Sequence, residues 1–191
     1  MVGKIILASN SPRRKELLAG LGLPFEVHVL EGIDESYPHD LLVSEVALYI
    51  ARKKAAAYRQ MIVDDELVIT ADTVVIVGDE ILGKPVDEAD AVRILRLLSG
   101  KTHQVTTGVC LLTAAQEHAF DVTTDVTFKS LSDEEIRYYV TRYKPFDKAG
   151  AYGIQEWIGY IGVTCLHGSY YNVMGLPVQR IYSELQKLKL I

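Results

Sequence analysis

The chain has 191 residues, 49% hydrophobic and 24% charged, enough apolar material for one sizeable globular core or two closely packed lobes. Its net charge of −5 argues against long nucleic acids and anionic membranes as partners, so an anionic ligand should be small and met by a local cluster of cations. No apolar run is long enough to span a bilayer, and MVGKIILASNSPRR at the start has too short an apolar stretch and the wrong flank for a secretory signal, which predicts a cytoplasmic protein.

Residues 4–8, KIILA, read as a short strand leading into a helix. Ser11 is placed to cap it, Pro12 suits its first position, Leu17, Leu18 and Leu21 share a face, and Gly22 can end it. Arg13, Arg14 and Lys15 then fall in the first turn, where the helix dipole favours acids, and Arg14 occupies the position that a capping box gives to Glu or Gln. Either these cations point into water, or the free backbone N–H groups and two guanidinium forks converge on one anion. Residues 24–30 alternate like a strand, and 44–61 read as a helix capped by Ser44 with a stripe of Val46, Ala47, Ile50 and Ala51.

Residues 67–77 form a β-rich run interrupted by Asp72, and 78–80 form a turn before Ile81 and Leu82. Residues 87–100 form a helix between Asp87 as cap and Gly100 as terminator, and two β-rich stretches, 102–113 and 118–128, pair as a hairpin. Ser132 and Glu135 make a capping box opening a helix to about Tyr143. Residues 157–174 read as strand, and Pro177 starts a last helix to about Lys187. No repeat or linker marks a domain boundary, and the order of elements indicates an α/β protein with a mixed sheet. Cys110 and Cys165 lie in apolar runs without a CxxC pair and are expected as buried, reduced thiols. The five histidines show no metal-ligand spacing, which argues against a zinc enzyme.

Several groups could carry chemistry. Asp72 places a carboxylate inside an apolar run, where an ionised group is costly unless paired, hydrogen-bonded or metal-bound; the plain alternative is a strand end capped with Thr73. Glu31, Asp34 and Glu35 cluster in a loop that could help Asp72 hold Mg²⁺ or Mn²⁺, or could simply be a solvated turn. Gly78 to Lys84 matches GxxxxGK, but Pro85 replaces the Mg²⁺-binding hydroxyl and Ile81-Leu82 suit a strand, so a P-loop is rejected; Lys84 remains a candidate phosphate contact or an ordinary surface lysine. FDKAGAYGIQ, residues 146–155, allows close backbone approach, and Gln155 offers the donor–acceptor pair that a base edge requires; a tight bend between core elements is the alternative.

Taken together and in order, LASNSPRRKELL, ADT, GKP, DKAGAYGIQ and VMGLP resemble the Maf family of nucleoside triphosphate pyrophosphatases over nearly the whole chain. The resemblance implies a single Maf-like domain with an elongated mixed sheet flanked by helices, two lobes with a central cleft, and a homodimer. It also implies release of pyrophosphate with a divalent cation, Mg²⁺ or Mn²⁺. Carried over, Ser9, Arg13 and Arg14 match the family's phosphate-binding loop, Lys54 and Lys84 its cleft lysines, and Glu35 and Asp72 its acidic catalytic and metal-holding pair. Arg13, Thr73 and Gln155 match positions that separate substrates: SPRR, ADT and AGAYGIQ follow the branch acting on dTTP and UTP, whereas the 7-methyl-GTP branch typically carries SPWR, SDQ and AGSFKSEG. A non-catalytic regulator of division is the alternative from another class, and retention of Asp72, Glu35 and Lys84 argues against it.

Overall fold

The computed structural model describes residues 2–191. Among them seven strands form one mixed sheet: β1 (Lys4–Leu7), β2 (Glu26–Val27), β3 (Glu66–Val77), β4 (Glu80–Leu82), β5 (Thr102–Leu112), β6 (Glu117–Phe128) and β7 (Val163–His167), in the order β2-β1-β3-β5-β6-β7, with β4 on β3. Helices are α1 (Pro12–Ala19), α2 (Val46–Tyr58), α3 (Glu88–Leu98), α4 (Asp133–Tyr143), α5 (Trp157–Gly162), α6 (Tyr170–Met174) and α7 (Val178–Lys187). None is long and apolar enough to cross a membrane.

Two compact units share the chain. The first takes the residues up to Asp72 with Thr107–Val122 and Gly175–Ile191; the second takes Thr73–Thr106 and Thr123–Met174. In the first, β1 runs parallel to β2 and β3, with Leu7 opposite Ile69, and Ile6, Val68, Cys110 and Leu112 pack against Ala55 and Tyr58 of α2. In the second, β3 turns back on β4 with Val77 opposite Glu80, and Leu95, Leu98, Phe128, Ile136, Tyr139, Tyr152 and Ile158 share one core.

Most predicted elements form where local chemistry puts them. Asp87 caps α3 by accepting from Asp90 N–H at 2.8 Å, and Ser132 and Glu135 complete a reciprocal capping box on α4. The β5–β6 hairpin closes through Thr113 N–H to Gln116 O at 2.9 Å, and Thr106–Thr123, Gln104–Asp125 and Thr102–Thr127 face one another along it. Gly78, at φ 60, supplies the left-handed turn between β3 and β4, so the GxxxxGK stretch is a hairpin and not a P-loop.

Five expectations are corrected. Residues 24–30 form a strand only over Glu26–Val27, because β1 offers just Ile6 and Leu7 as partners at that edge. Ser44 lies in a 3-10 turn, Val43–Glu45, and the α-helix begins at Val46 without a side-chain cap. Asp72 does not interrupt its run: β3 continues through it from Glu66 to Val77. Residues 157–174 are not one strand but α5, β7 and α6; at Gly159 a Cβ would stand 1.8 Å from the Ile154 carbonyl oxygen, so the backbone folds onto the preceding turn and tertiary packing overrides the β-rich composition. Cys110 is buried as expected, but Cys165 sits exposed on β7, the last strand in the sheet order; both are free thiols.

Candidate functional site

Parallel strands collect ligand-binding groups at their carboxyl ends, and here β1 leads from Leu7 through Ala8 to Ser9 and α1. Ala8 N–H extends the ladder to Ile69 O at 2.9 Å, which carries the start of α1 alongside Ala71 and Asp72 of β3. Ser11 caps α1 weakly, accepting from Arg14 N–H at 3.4 Å, and no acid occupies the first turn. Ser9 is buried, and its Oγ accepts from Ser11 N–H at 3.2 Å.

Arg14 turns inward. Its Nε donates to Gly175 O and its Nη1 to Ala71 O, both at 2.8 Å, so two of its five N–H groups fasten α1 to β3 and to the segment before α7. Burial pushes this guanidinium below its ordinary pKa, Asp72 and Glu35 pull it up, and Arg13 adds a smaller downward push. Arg13, Arg14, Asp72 and Glu35 therefore share one electrostatic field. Arg14 is thus partly committed to the protein's own backbone.

Lys54 organises the acids. From the middle of α2 its Nζ reaches Asp72 Oδ1 at 2.8 Å and Glu35 Oε1 at 3.1 Å, with the lysine and aspartate side chains only 14% and 16% exposed and the glutamate 55%. The preceding residue faces the loop that bears Glu35: Lys53 Nζ donates to Asp34 Oδ2 at 2.7 Å and to Ser36 O at 2.8 Å, while Asp34 also accepts from Ser36 N–H and Oγ–H. The Lys53 hydrogen bond, more than any other cause, holds the Asp34 carboxyl far below the usual carboxylate range. Asp34 thus belongs to a loop clip rather than to the Glu35–Asp72 pair. Glu31 is exposed.

Two carboxylates of hard oxygen donors converging on one ammonium fit a small divalent cation such as Mg²⁺ or Mn²⁺, which commonly takes one or two protein carboxylates and completes its shell with phosphate oxygens and water. Among the described residues no group of three or more His, Cys, Asp or Glu side chains could hold a metal by itself.

The remaining predicted residues lie in the second unit. Thr73 follows Asp72 directly on β3 and is half-buried; Lys84 is exposed in the segment between β4 and α3. Gln155 occupies a turn before α5, and its Oε1 is buried with no hydrogen-bond partner among the described residues. Two residues that brace this turn, Tyr139 and Glu156, went unread in the sequence. Tyr139 of α4 accepts from Gly153 N–H at 3.0 Å and donates to Glu156 Oε2, and Lys148, itself buried, lies 3.3 Å from Glu156 Oε1 and 2.8 Å from Asp147 Oδ1. Lys148 belonged to the noted FDKAGAYGIQ stretch, but nothing local ties Tyr139 to it.

Fold and donor set define an α/β protein with two carboxylates joined through one lysine, Asp72 on β3 and Glu35 in the loop after β2, on the fold of Ham1 proteins. The solved Ham1 protein of Staphylococcus aureus superposes with a TM-score of 0.52 at 16% identity, covering 97% of this chain and 99% of that one. A HAM1 protein from Coxiella burnetii gives 0.50 at 14% identity over 98% and 100%. The profile of Maf-like proteins matches residues 4–188, and the chain belongs to that family. Relatives named dTTP/UTP pyrophosphatase are 63% identical in Phocaeicola vulgatus and 58% identical in Bacteroides thetaiotaomicron, each alignment covering 97% of this chain and 96% of the relative.

Proposed function

We propose that the protein is a pyrophosphatase that hydrolyses dTTP and UTP to the nucleoside monophosphate and pyrophosphate. The observation that carries this reading is the Asp72–Lys54–Glu35 arrangement beside the cation-bearing start of α1; the names of the relatives supply the substrates. Ser9, the start of α1, Arg13 and Arg14 bind the triphosphate. Glu35 and Asp72 hold Mg²⁺ or Mn²⁺, which when bound neutralises phosphate charge and polarises the phosphoryl group. Asp72 orients the attacking water and takes its proton; the water oxygen bonds to the α-phosphorus as the bond to the bridging oxygen breaks. Lys54 and Lys84 balance the charge that develops on the departing pyrophosphate. Arg13, Thr73 and Gln155 select the base, and the buried acceptor Gln155 Oε1 suits the N3–H of thymine or uracil where cytosine offers only a lone pair. A cytoplasmic location and a homodimer complete the reading.

The test is a panel of dTTP, UTP, dCTP, CTP, ATP and 7-methyl-GTP with Mg²⁺ or Mn²⁺, the products resolved by anion-exchange chromatography. The expected products are TMP or UMP with pyrophosphate. Orthophosphate release, or a preference for 7-methyl-GTP, overturns the reading.

A further inference from the structure

We propose that Tyr139 is a positioning residue for pyrimidine selection, its hydroxyl fastening both ends of the turn that carries Gln155. This rests on the reading of Gln155 as the base-selecting residue. Residues 153–156 form a four-residue turn closed by Glu156 N–H to Gly153 O at 3.0 Å, with Ile154 and Gln155 at its corners. One phenol spans the opening of that turn, accepting from Gly153 N–H at 3.0 Å and donating to the Glu156 carboxylate. Tyr139 itself is fully buried on α4 and stacked on Tyr143, with ring centroids 5.1 Å apart, so the anchor does not move with the turn.

The second carboxylate oxygen of Glu156 is held by Lys148 at 3.3 Å, and Lys148 is held in turn by Asp147 at 2.8 Å. There is no slack in the arrangement. A Cβ on Gly153 would stand 3.0 Å from Glu156 Cδ and 3.1 Å from Lys148 Cε, and Gly159 packs its backbone onto the Ile154 carbonyl. Ile154 and Ile158 are buried in the core on either side. The one polar side-chain atom in this braced segment that is buried and without a partner among the described residues is Gln155 Oε1. Selection by a hydrogen bond depends on where the acceptor is held, because a buried polar group left unmatched costs far more than a matched one returns. The turn fixes the direction in which Gln155 leaves the backbone, and the phenol fixes the turn.

The test compares kcat/KM for dTTP, UTP, dCTP and CTP in the parent, Tyr139→Phe, Glu156→Gln and Gln155→Ala, with folding checked by circular dichroism. Tyr139→Phe keeps the ring stack and removes only the hydroxyl; the dTTP-to-dCTP ratio is expected to fall about tenfold, the scale of one misplaced hydrogen bond. Glu156→Gln keeps shape and weakens the acceptor for the phenol, with a fall of about threefold on the same scale; it decides the matter if Tyr139→Phe does not fold. A structural role alone would lower activity on all four substrates together. Unchanged ratios in both folded variants, beside a collapsed ratio in Gln155→Ala, overturn the positioning role and leave the base reading intact. An unchanged ratio in Gln155→Ala overturns both.

Discussion

Lowering the pH from 7.5 to 4.5 should destabilise the protein through one buried imidazole. His103, on β5, is 2% exposed, with its Nε2 2.8 Å from the Tyr152 hydroxyl, its ring edge-on to Phe128 and Tyr152, and its Nδ1 without a partner among the described residues. Burial pushes its pKa down from 6.5 to about 4. The unfolded chain therefore takes up a proton near pH 6.5 that the folded chain refuses until about pH 4, so the stabilisation present above pH 6.5 is lost as the pH falls through that window. At about 1.36 kcal/mol per pH unit the ceiling is about 3 kcal/mol, most of which falls above pH 4.5. Urea unfolding followed by fluorescence of Trp157, the chain's one tryptophan, measures it in the parent and in His103→Gln, which retains a polar group for Tyr152. Other groups titrate in both proteins and cancel in the comparison; Glu184, held at about 2 chiefly by Lys187, lies below the window. The parent should lose about 2 to 3 kcal/mol more than the variant. Equal losses in the two proteins would refute the argument.

Three further outcomes are expected. Asp72→Asn, isosteric and still able to accept from Lys54, should fold normally and lower kcat at least about a hundredfold, the scale for loss of a general base; near-normal turnover would remove Asp72 from that role. Lys84→Ala should weaken handling of the triphosphate by about tenfold in kcat/KM, whereas Pro85→Ser should create no ATP hydrolysis, as product chromatography would reveal. Ser132→Ala, which opens the capping box on α4, should cost about 1 kcal/mol in chemical denaturation with the ratios among substrates unchanged.

What could be read from the sequence was what local chemistry decides. Ser132 with Glu135, Asp87 as the cap of α3, and the hairpin across residues 114–117 each carry their own hydrogen-bonding instructions, and each formed as expected, the turn closing from Thr113 to Gln116. Asp72 stood out because a carboxylate in an apolar run needs a partner, and Lys54 is that partner. What escaped depends on residues distant in the chain. WIGYIG has the composition of a strand, but Gly159 against Ile154 and the burial of Ile158 make it a helix. Arg14 reads as a ligand for an anion, yet two of its donors go to carbonyls at positions 71 and 175, a commitment that no local pattern announces. Asp34 and Glu35 are adjacent acids with separate partners, because consecutive residues of α2, Lys53 and Lys54, diverge around the helix.

The interleaving of the two units also bears on how such a protein can change. The chain passes from one unit to the other after Asp72, Thr106, Val122 and Met174, and the first unit holds both the opening and the closing segments. A single crossover in the gene therefore cannot exchange one unit and keep the other whole. Ser9, Arg13, Arg14, Glu35, Lys54 and Asp72 lie in the first unit, and Thr73, Lys84 and Gln155 in the second. Recombination would have to cut at several places at once to replace the candidate site residues of one unit and keep those of the other. Point substitution at single positions is the shorter route, and at Gln155 it falls in a turn whose two ends are both hydrogen-bonded to Tyr139.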